Sequence, residues 1–168
     1  VLCIARLITS KGLQIAVEAC KATGLHLIVA GQGSLKDCLV GHEDYIADSF
    51  TDFESRPSVW HVGYIEPHER LQLLIKSKCL ICPTLYAEPF GGVNVEAQLC
   101  GKPVISTDWG AFAETVIHGT TGFRCRTMDH FVWALKNVSS LDSTKIAEIA
   151  RTNYSLAKVA TMYEEYFK

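Results

Sequence analysis

The chain has 168 residues, of which 48% are hydrophobic, 20% charged and 10% aromatic, with a formal net charge of −2. It is too apolar and too weakly charged to be disordered. It also lacks the basic excess of a general nucleic-acid binder and any apolar run near the roughly 18 residues of a membrane span. A chain of this length makes one domain, and it can bury about two-thirds of its unfolded surface without a metal or disulfide staple.

In chain order, the first element is the apolar run Val1-Leu-Cys-Ile-Ala5, read as a strand. No Met and no charged leader precede it, which predicts a segment of a longer protein. Residues 11–23 carry Leu13, Ala16, Val17 and Cys20 at helical spacing, and Gly24 follows as a stop. Residues 25–30 form a nearly continuous apolar run that ends at Gly31-Gln-Gly33, as a strand covered on both faces would. Ser34 then starts a helix, and residues 41–57 read as an extended connection with room for a helical turn.

Residues 59–62 are the next strand. A helix over 67–77 has Pro67 in its first turn and Leu71, Leu74 and Ile75 facing inward. Residues 79–82 form a strand, 92–100 a helix, 103–106 a strand and 111–118 a short helix. A turn at 119–122 leads into three helices at 127–139, 142–153 and 155–167. The last has an apolar stripe of Leu156, Val159, Tyr163, Tyr166 and Phe167. That stripe is either core or, where an absent domain would cover it, an exposed patch that promotes association. The alternation predicts an α/β domain over 1–168, a single Rossmann-like, doubly wound parallel sheet with helices on both faces.

The seven cysteines are odd in number and sit mostly in apolar stretches, so they read as free core thiols in a reducing, cytoplasmic setting. Cys79 and Cys82 have redox spacing, but within a strand their side chains point to opposite faces. The six histidines show no paired spacing, and no metal site is expected.

Ligands of such sheets bind at the carboxyl ends of the strands. After the first strand come Arg6 and Lys11, two cations beside a helix start. They make either an anion site or a solvated lysine beside an arginine paired to some carboxylate. Gly33 closes a tight turn, and a lone GxG is weak evidence for a dinucleotide. The strongest signal is Glu88-Pro-Phe-Gly-Gly-Val-Asn-Val-Glu96. Its glycines admit close approach to backbone amides, the helix start donates to phosphate or sugar oxygens, and the two carboxylates accept from hydroxyls. Taken singly, Glu88 is a solvated loop acid and Glu96 a helix-dipole partner. Glu114 is expected to cap or buttress the helix it starts.

The ordered set Ala5-Arg6-Leu7, Lys11-Gly12, Val29-Ala-Gly-Gln-Gly33, Val62-Gly63, Glu88-Pro-Phe-Gly91, Glu96-Ala97, Gly101-Lys-Pro-Val104 and Gly110 to Gly122 resembles the C-terminal half of a group 1 retaining glycosyltransferase of the GT-B fold. The resemblance covers residues 1–126. It implies a donor-binding domain whose acceptor-binding N-terminal partner lies outside this chain, the whole being about two ordinary domains long.

By similarity, Arg6 and Lys11 would neutralise the diphosphate leaving group and Glu88 would contact the donor sugar. Phe90, Gly91 and Gly92 would present backbone amides, Glu96 would hold the ribose, and the backbone near Ile65 would meet the base. Gly33 joins this donor set. The implied donor is a UDP- or GDP-sugar, with no cofactor and no metal. The implied partners are an acceptor glycan or lipid reached through the N-terminal domain, with no nucleic acid. The full-length protein would be cytoplasmic, with peripheral membrane attachment left open. The alternatives are a nucleotide-sugar epimerase or a non-catalytic nucleotide-binding module. Three features depart from the family pattern: Ala111 after Gly110, Asn94 between the glutamates, and the insert at 41–57.

Overall fold

The computed structural model describes residues 1–168. Its six strands are β1 (Leu2–Ile4), β2 (Leu27–Ala30), β3 (Val59–His61), β4 (Leu80–Cys82), β5 (Val104–Thr107) and β6 (Gly122–Cys125). All pair in parallel in the order β3-β2-β1-β4-β5-β6. The strands are short and apolar because both faces are covered. Leu27, Val59, Leu80, Ile81, Val104 and Ile105 are completely buried, each worth about 1.5–3 kcal/mol of transfer free energy.

Alternate residues feed two cores. Cys3, Val29, Ile81 and Ile105 pack with α1 (Leu13–Thr23), α2 (Leu35–Cys38) and α7 (Met128–Asn137) on one face. Leu2, Leu80, Cys82 and Val104 pack with α4 (Pro67–Lys76), α5 (Gly92–Leu99) and α6 (Phe112–Thr115) on the other. The expected doubly wound sheet is what the chain forms. Cys79 belongs to the first core and Cys82 to the second, so the CxxC pair straddles the sheet. Burial pushes the Cys3, Cys20 and Cys125 thiols up to about 12 and the Cys79 thiol to about 11.

Several expectations need correction. The turn at 119–122 leads not directly into helices but into β6, an edge strand. Residues 41–57 hold more than a turn, with a 3-10 turn at Glu43–Tyr45 and a helix α3 (Phe50–Ser55) that buries Phe53 against the sheet edge. On α4, Leu74 is buried as expected, but Leu71 and Ile75 are exposed. The inward face is rotated toward Arg70 and Leu73, and Arg70 is drawn inward by an ion pair with Glu96 on α5. Glu114 caps nothing: α6 has no side-chain cap, and the exposed Glu114 carboxylate accepts no hydrogen bond. The chain closes with α8 (Ser143–Tyr154) against α5, then α9 (Leu156–Tyr166) on α8. No residue of α9 is buried, so the stripe of Leu156, Tyr163 and Tyr166 is surface rather than core. No helix is long and apolar enough to cross a membrane.

The register of β1 and β4 shapes everything that follows. They register only at Leu2 with Leu80, while every other neighbouring pair registers at three or four positions. The two strands part toward their carboxyl ends, at the point where the strand order reverses. Gly12 closes the rear of that gap. It sits at φ 66 just before α1, and a Cβ there would lie 2.0 Å from the Pro83 carbonyl oxygen. Gly12→Ala is therefore expected to lower unfolding free energy by about 2–4 kcal/mol, combining left-handed strain with a backbone clash. Urea denaturation measures it, and a loss below about 0.5 kcal/mol would contradict the packing described.

Candidate functional site

Three loops meet above the parted strands. The first carries Arg6 from the end of β1 into a 3-10 turn at Thr9–Lys11. Lys11 is thus in a turn ahead of α1 rather than in the helix itself, with Gly12 between them. The second runs from β4 through Thr84, Tyr86 and Glu88 to Gly91, the N-cap of α5. Gly91 has φ 73, and a side chain there would collide with Asn94 and Phe112. The third, from β5 to α6, pins the second. The Thr107 hydroxyl and the Trp109 indole N–H donate to the Thr84 carbonyl at 3.0 and 3.1 Å, and the Ala111 amide donates to the Glu88 carbonyl at 2.9 Å. The Leu85 amide donates to the Ser10 carbonyl at 2.8 Å, which ties the lysine turn to the glutamate loop.

This bracing brings Lys11 and Glu88 together across 77 residues of sequence. Lys11 Nζ lies 2.7 Å from Glu88 Oε2, and both side chains are largely shielded, at 18% and 15% exposure. Tyr86 completes a triangle: its hydroxyl accepts from Lys11 and donates to Glu88 at 3.0 Å. The Lys11 pKa is raised. Burial works against the charge, but the hydrogen bonds to Glu88 and Tyr86 outweigh it, so the ammonium stays charged throughout the neutral range. Beneath the triangle is a hollow of about 120 Å³ lined by Lys11, Glu88, Gly91, Gly92 and Asn94, with Cys3 and Cys82 among its floor residues. Apart from its chain neighbours and the backbone of its own helix, no atom lies within 4 Å of the position a Gly92 Cβ would take. The first turn of α5 thus offers free amides to an anion at the hollow's mouth.

The remaining predicted residues are distributed around this centre. Glu96 does not line the same hollow. It sits one turn further along α5, in an adjacent depression of about 270 Å³, held by Arg70 Nη1 at 3.0 Å to each carboxylate oxygen. Arg6 is exposed on the first loop and makes no ion pair. Gly33 is not at the hollow either. It bridges to Leu7 and so braces the Arg6 loop from the side. Ile65 is buried beyond β3, just ahead of the Glu66 cap of α4. The Phe90 ring stands edge-on to Tyr154 of α8, 6.5 Å between centroids, and Phe90 does not line the hollow.

Tyr86 and Arg70 are the residues that sequence reasoning missed. Tyr86 stands two positions before Glu88, within the loop already singled out. Arg70 would have needed the helix face to be placed correctly. The arrangement can hold an anion at Lys11 and the α5 start while carboxylates on either side accept hydroxyl groups. A diphosphate bonded to a sugar and a ribose has that order of groups.

The family model "Glycosyl transferases group 1" matches residues 1–153. A glycogen synthase of Mycobacterium tuberculosis is 29% identical over 150 residues, covering 86% of this chain and 34% of that protein. A D-inositol 3-phosphate glycosyltransferase of Rhodococcus erythropolis is 38% identical over 94 residues, or 53% of this chain and 21% of that protein. Among solved structures, Anabaena Alr3699/HepE in complex with UDP and glucose superposes with a TM-score of 0.77 at 22% identity, covering 99% of this chain and 47% of that one. AviGT4, a glycosyltransferase involved in avilamycin A biosynthesis, gives a TM-score of 0.73 at 22% identity, covering 98% and 48%. The chain therefore spans between about a fifth and a half of the length of these proteins.

Proposed function

The chain belongs to the group 1 glycosyltransferases, and from that premise we propose that residues 1–168 are the donor-binding half of a retaining transferase. The donor would be a UDP- or GDP-linked hexose, and a separate N-terminal domain would hold the glycan, lipid or other acceptor. The observation that carries this reading is the Lys11–Glu88 pair set beside the α5 start, above the hollow where β1 and β4 part. It is supported by relatives that are sugar transferases and by a structural neighbour solved with UDP and glucose. Reduced core thiols suit a cytoplasmic protein.

The geometry suggests how a donor would be received. Lys11 and Glu88 neutralise one another in their ion pair. An incoming donor replaces both partners at once: its diphosphate takes Lys11, and a sugar hydroxyl takes Glu88. Neither charge is left bare during the exchange, which keeps the desolvation cost small. The acceptor oxygen bonds the anomeric carbon on the face that the diphosphate leaves; the electrons of the broken bond go to the diphosphate oxygen, which also takes up the acceptor's hydroxyl proton. Lys11, the amides at Gly91 and Gly92, and Arg6 from the first loop then stabilise the growing negative charge. Phe90 contributes its backbone amide to the same rim. Glu96, oriented by Arg70, accepts from the ribose hydroxyls, while the backbone near Ile65 faces the base. Gly33 keeps the Arg6 loop in place. This reading assigns the leaving-group charge to side chains and amides, with no cofactor or metal.

Calorimetry with UDP and GDP tests the binding claim, and the chain is expected to bind at least one of them. The full-length protein, given a radiolabelled nucleotide sugar and acceptors, is expected to release nucleoside diphosphate and a glycosylated product. The isolated chain should turn over little. Binding of neither nucleotide at millimolar concentration would leave a non-catalytic module. Recovery of an epimerised sugar nucleotide would make the protein an epimerase.

A further inference from the structure

Asn94 occupies the first turn of α5, between Val93 and Val95, where the helix faces inward. Its side chain is completely buried, and neither Oδ1 nor Nδ2 has a hydrogen-bond partner in the protein. A buried carboxamide without partners is costly, and an apolar residue at this position would avoid the cost. The amide lines the same hollow as Lys11, Glu88, Gly91 and Gly92. Its nitrogen end lies against the helix start, since a Cβ at Gly91 would come within 2.8 Å of Nδ2. Two independent features thus converge: a helix start with free amides, and an unpartnered polar group directed into the space below it.

We propose that Asn94 is a sugar-reading residue, whose carboxamide exchanges hydrogen bonds with one hydroxyl of the transferred hexose inside the hollow. The inference rests on the donor-site reading above and adds the element of substrate choice. The chemistry selects a hydroxyl over a phosphate. A phosphate oxygen only accepts, so it would leave Oδ1 facing an anion. A hydroxyl both donates and accepts, as the carboxamide does. The phosphates already have Lys11 and the backbone amides. Glu88 borders the same space, so one hydroxyl-bearing edge of the sugar would be read by Glu88 and Asn94 together. A site built to bond a hydroxyl rejects the analogue lacking it, because its own polar atoms are then left unpaired.

The test compares UDP with UDP-glucose, and GDP with GDP-mannose, on the full chain and its variants, after thermal melting has shown each variant folded. Asn94→Leu is expected to weaken sugar-nucleotide binding about tenfold or more, the equivalent of one or two lost hydrogen bonds. It should leave the bare diphosphate within about twofold and raise the melting temperature. Asn94→Asp, nearly the same size, is expected to lose sugar binding in the same selective way because it cannot donate. Deoxy-sugar donors provide the readout that a packing role would not move. One deoxy position should cost wild type affinity and cost Asn94→Leu nothing.

If both affinities fall together, if neither changes, or if the sugar adds nothing to wild-type binding, the inference is overturned and the hollow holds only water. If wild type binds neither UDP nor GDP, the donor-site reading itself fails, and that result is distinct from the others.

Discussion

Lys11→Met is expected to reduce transfer by the full-length protein by about 10²–10³-fold, the usual consequence of removing one preorganised group that stabilises leaving-group charge. Methionine keeps the aliphatic stem and removes only the ammonium. The loss should appear already in UDP or GDP binding, because the diphosphate loses its cation in the ground state as well. The variant should also be less stable. Glu88 would keep the Tyr86 hydroxyl but lose its counter-charge while remaining 15% exposed. A pair this shielded falls between surface and buried cases, so the cost is about 1–2 kcal/mol. Steady-state kinetics and urea melts read the two effects separately. Nucleotide affinity unchanged within twofold would remove Lys11 from the anion site.

Glu88→Gln should act on the same pair with the opposite sign for the nucleotide. Transfer is expected to fall by about 10²–10³-fold as the sugar loses its charged acceptor. Bare diphosphate should bind as well as before or better, because Lys11 no longer has to leave a carboxylate to receive it. The opposite signs of the two variants discriminate this mechanism from one in which both residues are simply structural. If Glu88→Gln weakened UDP binding as strongly as Lys11→Met, the exchange of partners would not be how the site opens.

The central sheet was legible because five of its strands are short, mainly apolar runs with glycine or proline close by. β6 was not, since Gly122-Phe-Arg-Cys125 opens on glycine and carries an arginine. A four-residue edge strand whose second and fourth residues alone are hydrophobic leaves almost no periodic signal. On α4 the pattern was real but ambiguous. Positions 71, 74 and 75 and positions 70, 73 and 74 both fit one helical face, and the ion pair from Arg70 to Glu96 decides between them. Sequence periodicity cannot see a partner 26 residues away.

The same limit governs the site. Lys11, Glu88, Gly91 and Gly92 were readable because they follow strand ends, where parallel sheets gather ligands. Their pairing was not, and neither was the separation of Glu96 into its own depression. Tyr86 and Asn94 have meaning only through what surrounds them: a cation donated from another loop in one case, and no partner at all in the other. Asn94 did stand out in sequence as a departure from the family pattern between the two glutamates, but spacing alone did not connect it with Lys11.

The parting of β1 from β4 has a mechanical consequence. Three strands lie on each side of that seam, with Lys11 supplied by the first half of the chain and Glu88 and the glycine pair by the second. A molecule gripped from both sides would act as a rivet through the least stitched line of the sheet. Occupancy should then stiffen the whole domain rather than one rim, slowing amide exchange in β1 and β4 together.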